Sequence, residues 1–412
     1  MIKDILSKLF IVGFSLTKLI FKRFKRIDKD DIAKNVLIFI PKYGIGDMAL
    51  RLNSIHTILY YLSKDKECTI SIATDNAQIN ILKKLGFTDG IDFIKLNSDG
   101  IYTLDRYFQD LSNLKKCRWT CIVSLDVLGG YIKAVLAGVD YNLVVAPNYD
   151  DLNNASRLFY IFDKLLPNLN LIKFDYTREK MVHRVKIDKI IVKIFIEAYF
   201  QKTLATNFEL LKYNIPVLSN NLAMGNRYCI VSAGMSNVKG ILFRCWPLDR
   251  YAKIIDFIIT ELKLKVYLTG DKNDIDKNQK LYSLVCNKEH VYDVTAKTSF
   301  QEWIELIRGA DFVFGNDSGY IHMAAMLDTQ SFVVAGYWNY GRFLPYDDTD
   351  NGLLKPVDIR IDRPSCALCH LINWEDNDTY KKCNLMTATQ GTYLCIEKIT
   401  TESVIKKITT TK

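Results

Sequence analysis

Residues 311–325 read DFVFGNDSGYIHMAA, an apolar run that breaks into Asn316-Asp317-Ser318-Gly319 and continues as a small-residue helical stretch. A short strand opening through small polar residues directly into a helix is the repeating unit of parallel α/β sheets. The same order recurs upstream. NVLIFIP (35–41) runs into a glycine turn at Gly44 and Gly46 and then a helical pattern through Leu62. ECTISIAT (67–74), CIVSL (121–125) and NLVVA (142–146) are further β-branched runs separated by helix-length segments. Residues 151–225 are polar and hold one long helical pattern, Ile187 to Leu211, after which YCIVSA (228–233), KVYLTG (265–270), DFVFGN (311–316) and SFVVAG (331–336) restart the alternation. Two such halves predict an α/β chain of two Rossmann-like domains facing a cleft, with ligands outside the carboxyl ends of the strands. The boundaries read from this pattern are 1–34 for a basic amphipathic segment, 35–225 for an N-terminal Rossmann-like domain and 226–395 for a C-terminal Rossmann-like domain. The last contains a cysteine-rich stretch at 364–395 and is followed by a C-terminal helix at 396–412.

Composition bounds the function. With 49% hydrophobic and 25% charged residues in 412 positions, the chain is globular, and 8 prolines and 20 glycines exclude collagen-like or low-complexity architecture. The net charge of +9 is unevenly spread. Residues 1–27 carry seven basic residues (Lys3, Lys8, Lys18, Lys22, Arg23, Lys25, Arg26) and one acid, Asp4, a net +6 that leaves +3 for the rest. A nearly neutral body gives no reason to expect nucleic acid as a partner.

The uncharged run Leu9–Thr17 is too short to span a bilayer as a helix, and no cleavage site of the secretory type follows it. Asp4, Lys8, Ser15, Lys18, Lys22 and Lys25 form one helical stripe interrupted by Ile11, while Leu6, Leu9, Phe10, Leu16, Ile20 and Phe24 lie largely away from it. The pattern predicts an interfacial helix on an anionic membrane, or else a helix packed on the protein or a partner. It places the chain in the cytoplasm, peripheral on the cytoplasmic face of the inner membrane.

Three motifs carry the chemistry. Gly44-Ile45-Gly46-Asp47-Met48-Ala49 fits the bare dinucleotide fingerprint, with Asp65 or Glu67 at the ribose distance, but a carboxylate at Asp47 would repel a pyrophosphate placed there. At a helix N-terminus the dipole favours the ionised carboxylate, the form a general base needs; a plain helix cap is the structural alternative. In the second motif, Asp317-Ser318-Gly319 leaves backbone N–H groups open to an anion at a helix start, with His322 one turn further on the same face. In the third, Gly234 and Ser236 close a strand as a phosphate-type turn, followed by Lys239 and the planar fork of Arg244 as cations. Trp246-Pro247 reads as a helix-start wedge. Gly270 ends another strand, and Asp274 or Asp271 beyond it is placed to accept hydrogen bonds from a ribose or base.

In this order the motifs resemble glycosyltransferase family 9, the lipopolysaccharide heptosyltransferase type. The resemblance is specific over 226–346, where Thr298–Glu302, Ile304 and Arg342–Pro345 also fit, and shorter over 35–56. It implies a GT-B fold and transfer of a sugar from a nucleotide diphosphate donor with inversion, by chemistry that needs no cofactor. It implies Asp47 as the base, Asp317, Ser318 and Gly319 around the donor sugar and phosphates with His322 nearby, and Arg244 on phosphate. The expected donor is ADP-heptose and the expected acceptor a cell-envelope glycan or glycolipid such as lipopolysaccharide core. Tyr320 and Tyr337-Trp338-Asn339 depart from the family pattern. The alternatives are a nicotinamide-dependent (NAD) oxidoreductase using the Gly44–Ala49 turn in the first domain, and a protein-modifying or non-catalytic nucleotide-sugar-binding homologue.

Four of the ten cysteines cluster late: Cys366-x-x-Cys369, a gap of 13, Cys383, a gap of 11, Cys395. Four thiolates at this spacing suit a structural zinc or iron site, with two disulfides or free thiols as the alternative and His370 as a substitute ligand. Some members of the resembled family carry a cysteine-rich segment of this kind, iron-binding ones among them.

Overall fold

The computed structural model describes residues 2–23, 34–40, 44–97, 103–126, 130–149, 165–166, 168–174, 182–217, 227–234, 245–337, 340–346, 352–362 and 394–411. The chain forms two compact units. The first comprises Met1–Tyr43, Arg51–Tyr176 and Val185–Lys212; the second comprises Gly44–Leu50, Thr177–Arg184 and Tyr213–Lys412.

The first unit runs α1 (Ile2–Arg23), β1 (Lys34–Phe39), α2 (Ile45–Leu62), β2 (Cys68–Thr74), α3 (Asn76–Lys84), β3 (Ile91–Lys95), α4 (Leu104–Leu114), β4 (Trp119–Ser124), α5 (Gly130–Leu136), β5 (Tyr141–Tyr149), β6 (Leu169–Phe174) and α6 (Arg184–Phe200). The opening residues of α2, Gly44–Leu50, and Arg184 group with the second unit. The sheet order is β3-β2-β1-β4-β5-β6, all parallel, with Val36 opposite Ile70 on one side and Cys121 on the other. The central strand shows why no alternation appears in NVLIFI: Val36, Leu37, Ile38, Phe39 and Ile40 are all buried, as a strand covered on both faces requires.

The second unit runs β7 (Tyr228–Ser232), α7 (Leu248–Thr260), β8 (Lys265–Leu268), α8 (Ile275–Leu284), β9 (Val291–Asp293), α9 (Phe300–Arg308), β10 (Phe312–Asn316), α10 (Gly319–Met326), β11 (Ser331–Val334), β12 (Val357–Ile359), α11 (Leu394–Glu397) and α12 (Thr401–Thr411). Its sheet order, β12-β11-β10-β7-β8-β9, is the same doubly wound order in strand sequence. The strand order reverses between β7 and β10, the switch point where such sheets bind ligands. The fold is therefore α/β with two Rossmann-type sheets, as expected.

Several details differ from the sequence reading. The long helix of the polar segment stops at Phe200 rather than reaching Leu211, because Gln201 takes a left-handed backbone with φ of 49°. The same segment contributes β6, an edge strand whose sequence lacks a strong apolar run. The terminal helix starts at Thr401, later than the pattern from 396 suggests. Trp246 Nε1 donates to the Ile399 carbonyl at 2.9 Å and Arg250 donates to the carbonyls of Ile399 and Glu397. Those carbonyls are thereby taken, and Thr400 caps the new start by accepting from Ser403 N at 3.2 Å. Val404 and Ile408 of α12 are buried in the core of the second unit.

Helix α1 rests on the protein, one of the two placements its pattern allows: Ile11 and Ser15 are fully buried, Lys8 and Lys18 stay partly exposed, and Ser15 Oγ lies 2.8 Å from the Tyr107 hydroxyl. Leu9 and Phe10 are half exposed. The helix packs on its own unit. Among the described residues no helix is long and apolar enough to cross a membrane.

Candidate active site

Asn316 organises the switch point. It is fully buried at the end of β10, donates from Nδ2 to the Ala233 carbonyl after β7 at 3.0 Å, and accepts from Trp246 N at 3.1 Å. A methyl on Gly315 would stand 2.5 Å from the Ser232 carbonyl oxygen, so only glycine lets β10 and β7 approach this closely. Trp246 is buried against Tyr251 and Phe314, and Pro247 precedes α7, which agrees with a structural wedge.

Around these strand ends lies a cavity of about 800 Å³, within the range of small-molecule sites. All of its lining belongs to the second unit. Asp47, Gly234, Gly270, Asp274, Asp317, Ser318, Gly319 and His322, predicted from widely separated motifs, are all on its wall. Ser236, Lys239 and Arg244 lie outside the described residues.

Two helix starts converge on the cavity. A Cβ on Gly46 would stand 3.1 Å from Gly319 Cα and 3.0 Å from His322 Cδ2, and one on Gly319 would stand 3.2 Å from Gly46 N. The N-cap of α10, Ser318, makes no side-chain cap bond, and its Oγ is buried without a hydrogen-bond partner. Unsatisfied N–H groups at two helix starts make a concentrated positive potential, and Lys272 also lines the cavity. The half-buried carboxylate of Asp47 stands on the first turn of α2, at the rim of this site.

His322 is 5% exposed and held on both ring nitrogens. Nδ1 lies 2.8 Å from the Tyr346 hydroxyl and Nε2 lies 3.4 Å from Asp317 Oδ1. With the tyrosine hydroxyl donating to Nδ1, the Nε2–H faces Asp317 and fixes that carboxylate at the mouth of the helix. Tyr346 stacks on His322 with ring planes 3° apart and meets His183 edge-on. His183 in turn approaches the Phe343 carbonyl at 2.8 Å, and Arg184 N donates to the Arg342 carbonyl. The 342–346 stretch thus supports His322 and supplies Phe343 to the cavity wall.

Asp274 plays a part the sequence did not reveal. It forms a capping box with Asp271, accepting from Asp271 N at 3.1 Å, and burial pushes its carboxyl above the usual carboxylate range. Methyls on Gly234 and Gly270 would lie 2.4 Å and 2.6 Å from Asp274 atoms, so both glycines make room for it. The far wall is aromatic. Trp303 sits 5.1 Å from Tyr320 and 5.5 Å from Phe300, centroid to centroid, and burial pushes the Tyr320 hydroxyl up to about 12. Sequence reasoning noticed Thr298–Glu302 without giving it a role. The Ser299–Glu302 capping box that starts α9 is the local signal that could have placed Trp303.

The cysteines divide. Cys366, Cys369 and Cys383 lie outside the described residues. Cys395 is buried in the second core, its Sγ 3.0 Å from where a Cβ on Gly336 would be. Among the described residues no group of three or more His, Cys, Asp or Glu side chains is placed to hold a metal ion.

The model of glycosyltransferase family 9 (heptosyltransferase) matches residues 219–362, the part of the chain that builds most of this cavity. No curated protein matches the chain. Among solved structures, the E. coli ADP-heptose lps heptosyltransferase II shares the fold at 14% identity and TM-score 0.58, over 91% of this chain and 97% of that one. E. coli heptosyltransferase WaaC with ADP-2-deoxy-2-fluoro heptose superposes at 12% identity and TM-score 0.56, over 92% and 100%. The iron-containing dodecameric glycosyltransferase TibC from enterotoxigenic E. coli H10407 does so at 13% identity and TM-score 0.53, over 93% and 78%. These likenesses establish a GT-B fold; by its matched region, the chain is a glycosyltransferase that resembles the family 9 heptosyltransferases.

Proposed function

We propose that the chain is an inverting transferase that moves a heptose from ADP-heptose to a cell-envelope glycan acceptor such as lipopolysaccharide core. The observation that carries this reading is the meeting of Gly46 and Gly319, two helix starts, beside the Asp47 carboxylate. In this account the diphosphate lies on the N–H groups of α10 and α2, with Ser318 Oγ donating to it. Arg244 adds a phosphate contact by resemblance, and Ser236 and Lys239 add others by their residue types after the Gly234 turn. The sugar lies between Asp317 and Asp47. The nucleobase lies against Trp303, Phe300 and Tyr320.

The reaction follows from these positions. Asp47 accepts the proton of the acceptor hydroxyl as its oxygen attacks the anomeric carbon from the face opposite the diphosphate. The bond to the diphosphate oxygen breaks and configuration inverts. Negative charge grows on the departing diphosphate, and helix-terminal N–H groups already aimed there stabilise it without reorganising. His322 and Tyr346 keep Asp317 in place. The donor identity draws on the relatives solved with ADP-linked heptoses. A structural zinc or iron at Cys366, Cys369, Cys383 and Cys395 rests on their spacing and takes no part in the proposed steps.

The basic segment 1–27 is proposed to bring the enzyme to an anionic membrane surface, near a lipid-linked acceptor. A thermal-shift screen of the full chain tests the donor assignment. ADP-heptose should stabilise it more than UDP- or GDP-sugars, and stabilisation by NAD alone would favour the oxidoreductase instead.

A further inference from the structure

Helix α1 is anchored by Ile11, Val12 and Ser15. Ile11 and Ser15 are fully buried, Val12 is 8% exposed, and Ser15 is tied to Tyr107 of α4. At about 3.6 residues per turn, this orientation turns Leu9, Phe10, Gly13 and Thr17 outward. Leu9 is 50% and Phe10 49% exposed. A second segment completes the surface. Phe108, on the exposed side of α4, is 42% exposed, and Phe14 links the two helices, its ring 6.1 Å from Phe10 and 5.3 Å from Phe108. Single exposed apolar residues are common, but large ones grouped across two packed helices mark an interaction surface.

The charge of the same segment selects the occupant. Residues 1–27 net +6. A second copy of the chain would bring another segment of +6, whereas an anionic bilayer supplies the opposite charge at its headgroups and an apolar layer just beneath. We propose that Leu9, Phe10 and Phe108 form a preformed two-helix patch that inserts into the acyl boundary of an anionic membrane. This rests on the reading that the basic segment meets such a membrane and deepens it. The inserted surface is a fixed face of the first unit, including a residue far outside the basic segment.

The test is co-sedimentation of the full chain with vesicles of phosphatidylglycerol and phosphatidylcholine, comparing wild type, Phe108→Ser and Leu9→Gln. Each substitution should weaken vesicle binding about 10-fold, as loss of one inserted apolar side chain implies, with the melting temperature unchanged. Vesicles of phosphatidylcholine alone should bind more weakly than the mixture. Unaltered binding by Phe108→Ser and Leu9→Gln overturns the patch while leaving attachment by charge intact. A wild type that ignores anionic vesicles overturns both. A wild-type dimer in light scattering that Phe108→Ser converts to monomer also overturns the proposal, since the patch would then be a contact between copies. Nucleotide-sugar binding should be equal in all three proteins, so the donor assignment stands or falls separately.

Discussion

The backbone of Gly46 and the backbone of Gly319 touch: a Cβ on either residue would stand 3.2 Å or less from main-chain atoms of the other. Two helix starts far apart in sequence therefore meet at the cavity, and glycine is required on both sides of the contact. Gly319→Ala should force the helices apart and lower sugar transfer by about 10²-fold, comparable to loss of an oxyanion-type donor. Donor titration should show the loss in affinity as well as in kcat. An alanine variant with unchanged affinity would remove the paired helix starts from the donor site.

Asp47→Asn keeps shape and removes the base. The expected outcome is a kcat lowered by about 10²–10⁴-fold with donor affinity within about threefold of wild type. Rapid-quench assays together with donor titration separate the two effects. Strong loss of affinity instead would show that Asp47 binds the donor.

Tyr346 does not itself line the cavity, yet its hydroxyl holds Nδ1 of His322, which does. Tyr346→Phe should reduce kcat/KM by about fivefold, the worth of one net hydrogen bond, by loosening Asp317 through the imidazole. Because this is a positioning effect, it should fall on sugar transfer while leaving the affinity for ADP alone unchanged.

Asp274 gives a signed pH dependence. Burial holds its carboxyl above the usual range in the folded chain, so the folded state takes up this proton before the unfolded state does as pH falls. The ionised group therefore costs stability above its raised pKa, and that cost disappears once both states are protonated. Asp274→Asn retains an oxygen for Asp271 N and should melt at or above the wild-type temperature at pH 7. Its advantage should shrink as pH falls through the raised pKa and vanish below the ordinary aspartate value. Melting curves across that window check the sign. If Asp274→Asn leaves nucleotide affinity unchanged, Asp274 is a capping and packing residue rather than a ribose ligand.

Much of this was legible in the chain. Fully buried strands such as β1 and β10 announce themselves as apolar runs, and the small residues after them mark where ligand approaches. The edge strands β3, β6, β9 and β12 did not, because an edge strand needs only part of its length buried and leaves no run to read. The motifs around Asp47 and Asp317 were visible, but their contact depends on tertiary packing of Gly46 on Gly319. The support of His322 by Tyr346, and of Phe343 by His183, joins residues distant in sequence and had no local signal. In helix α1 the burial of Ser15, in a stripe otherwise mostly of charged residues, had no local signal either, because its partner is the distant Tyr107 hydroxyl.

Calorimetric titration of ADP-heptose into the full wild-type chain and into Gly46→Val tests the central claim most directly. The account predicts saturable one-to-one binding by wild type and loss of binding by Gly46→Val, whose side chain would enter the space between the two helix starts, with melting at low ligand showing that the variant remains folded. Equal binding by a folded Gly46→Val, or no binding by wild type, would contradict it.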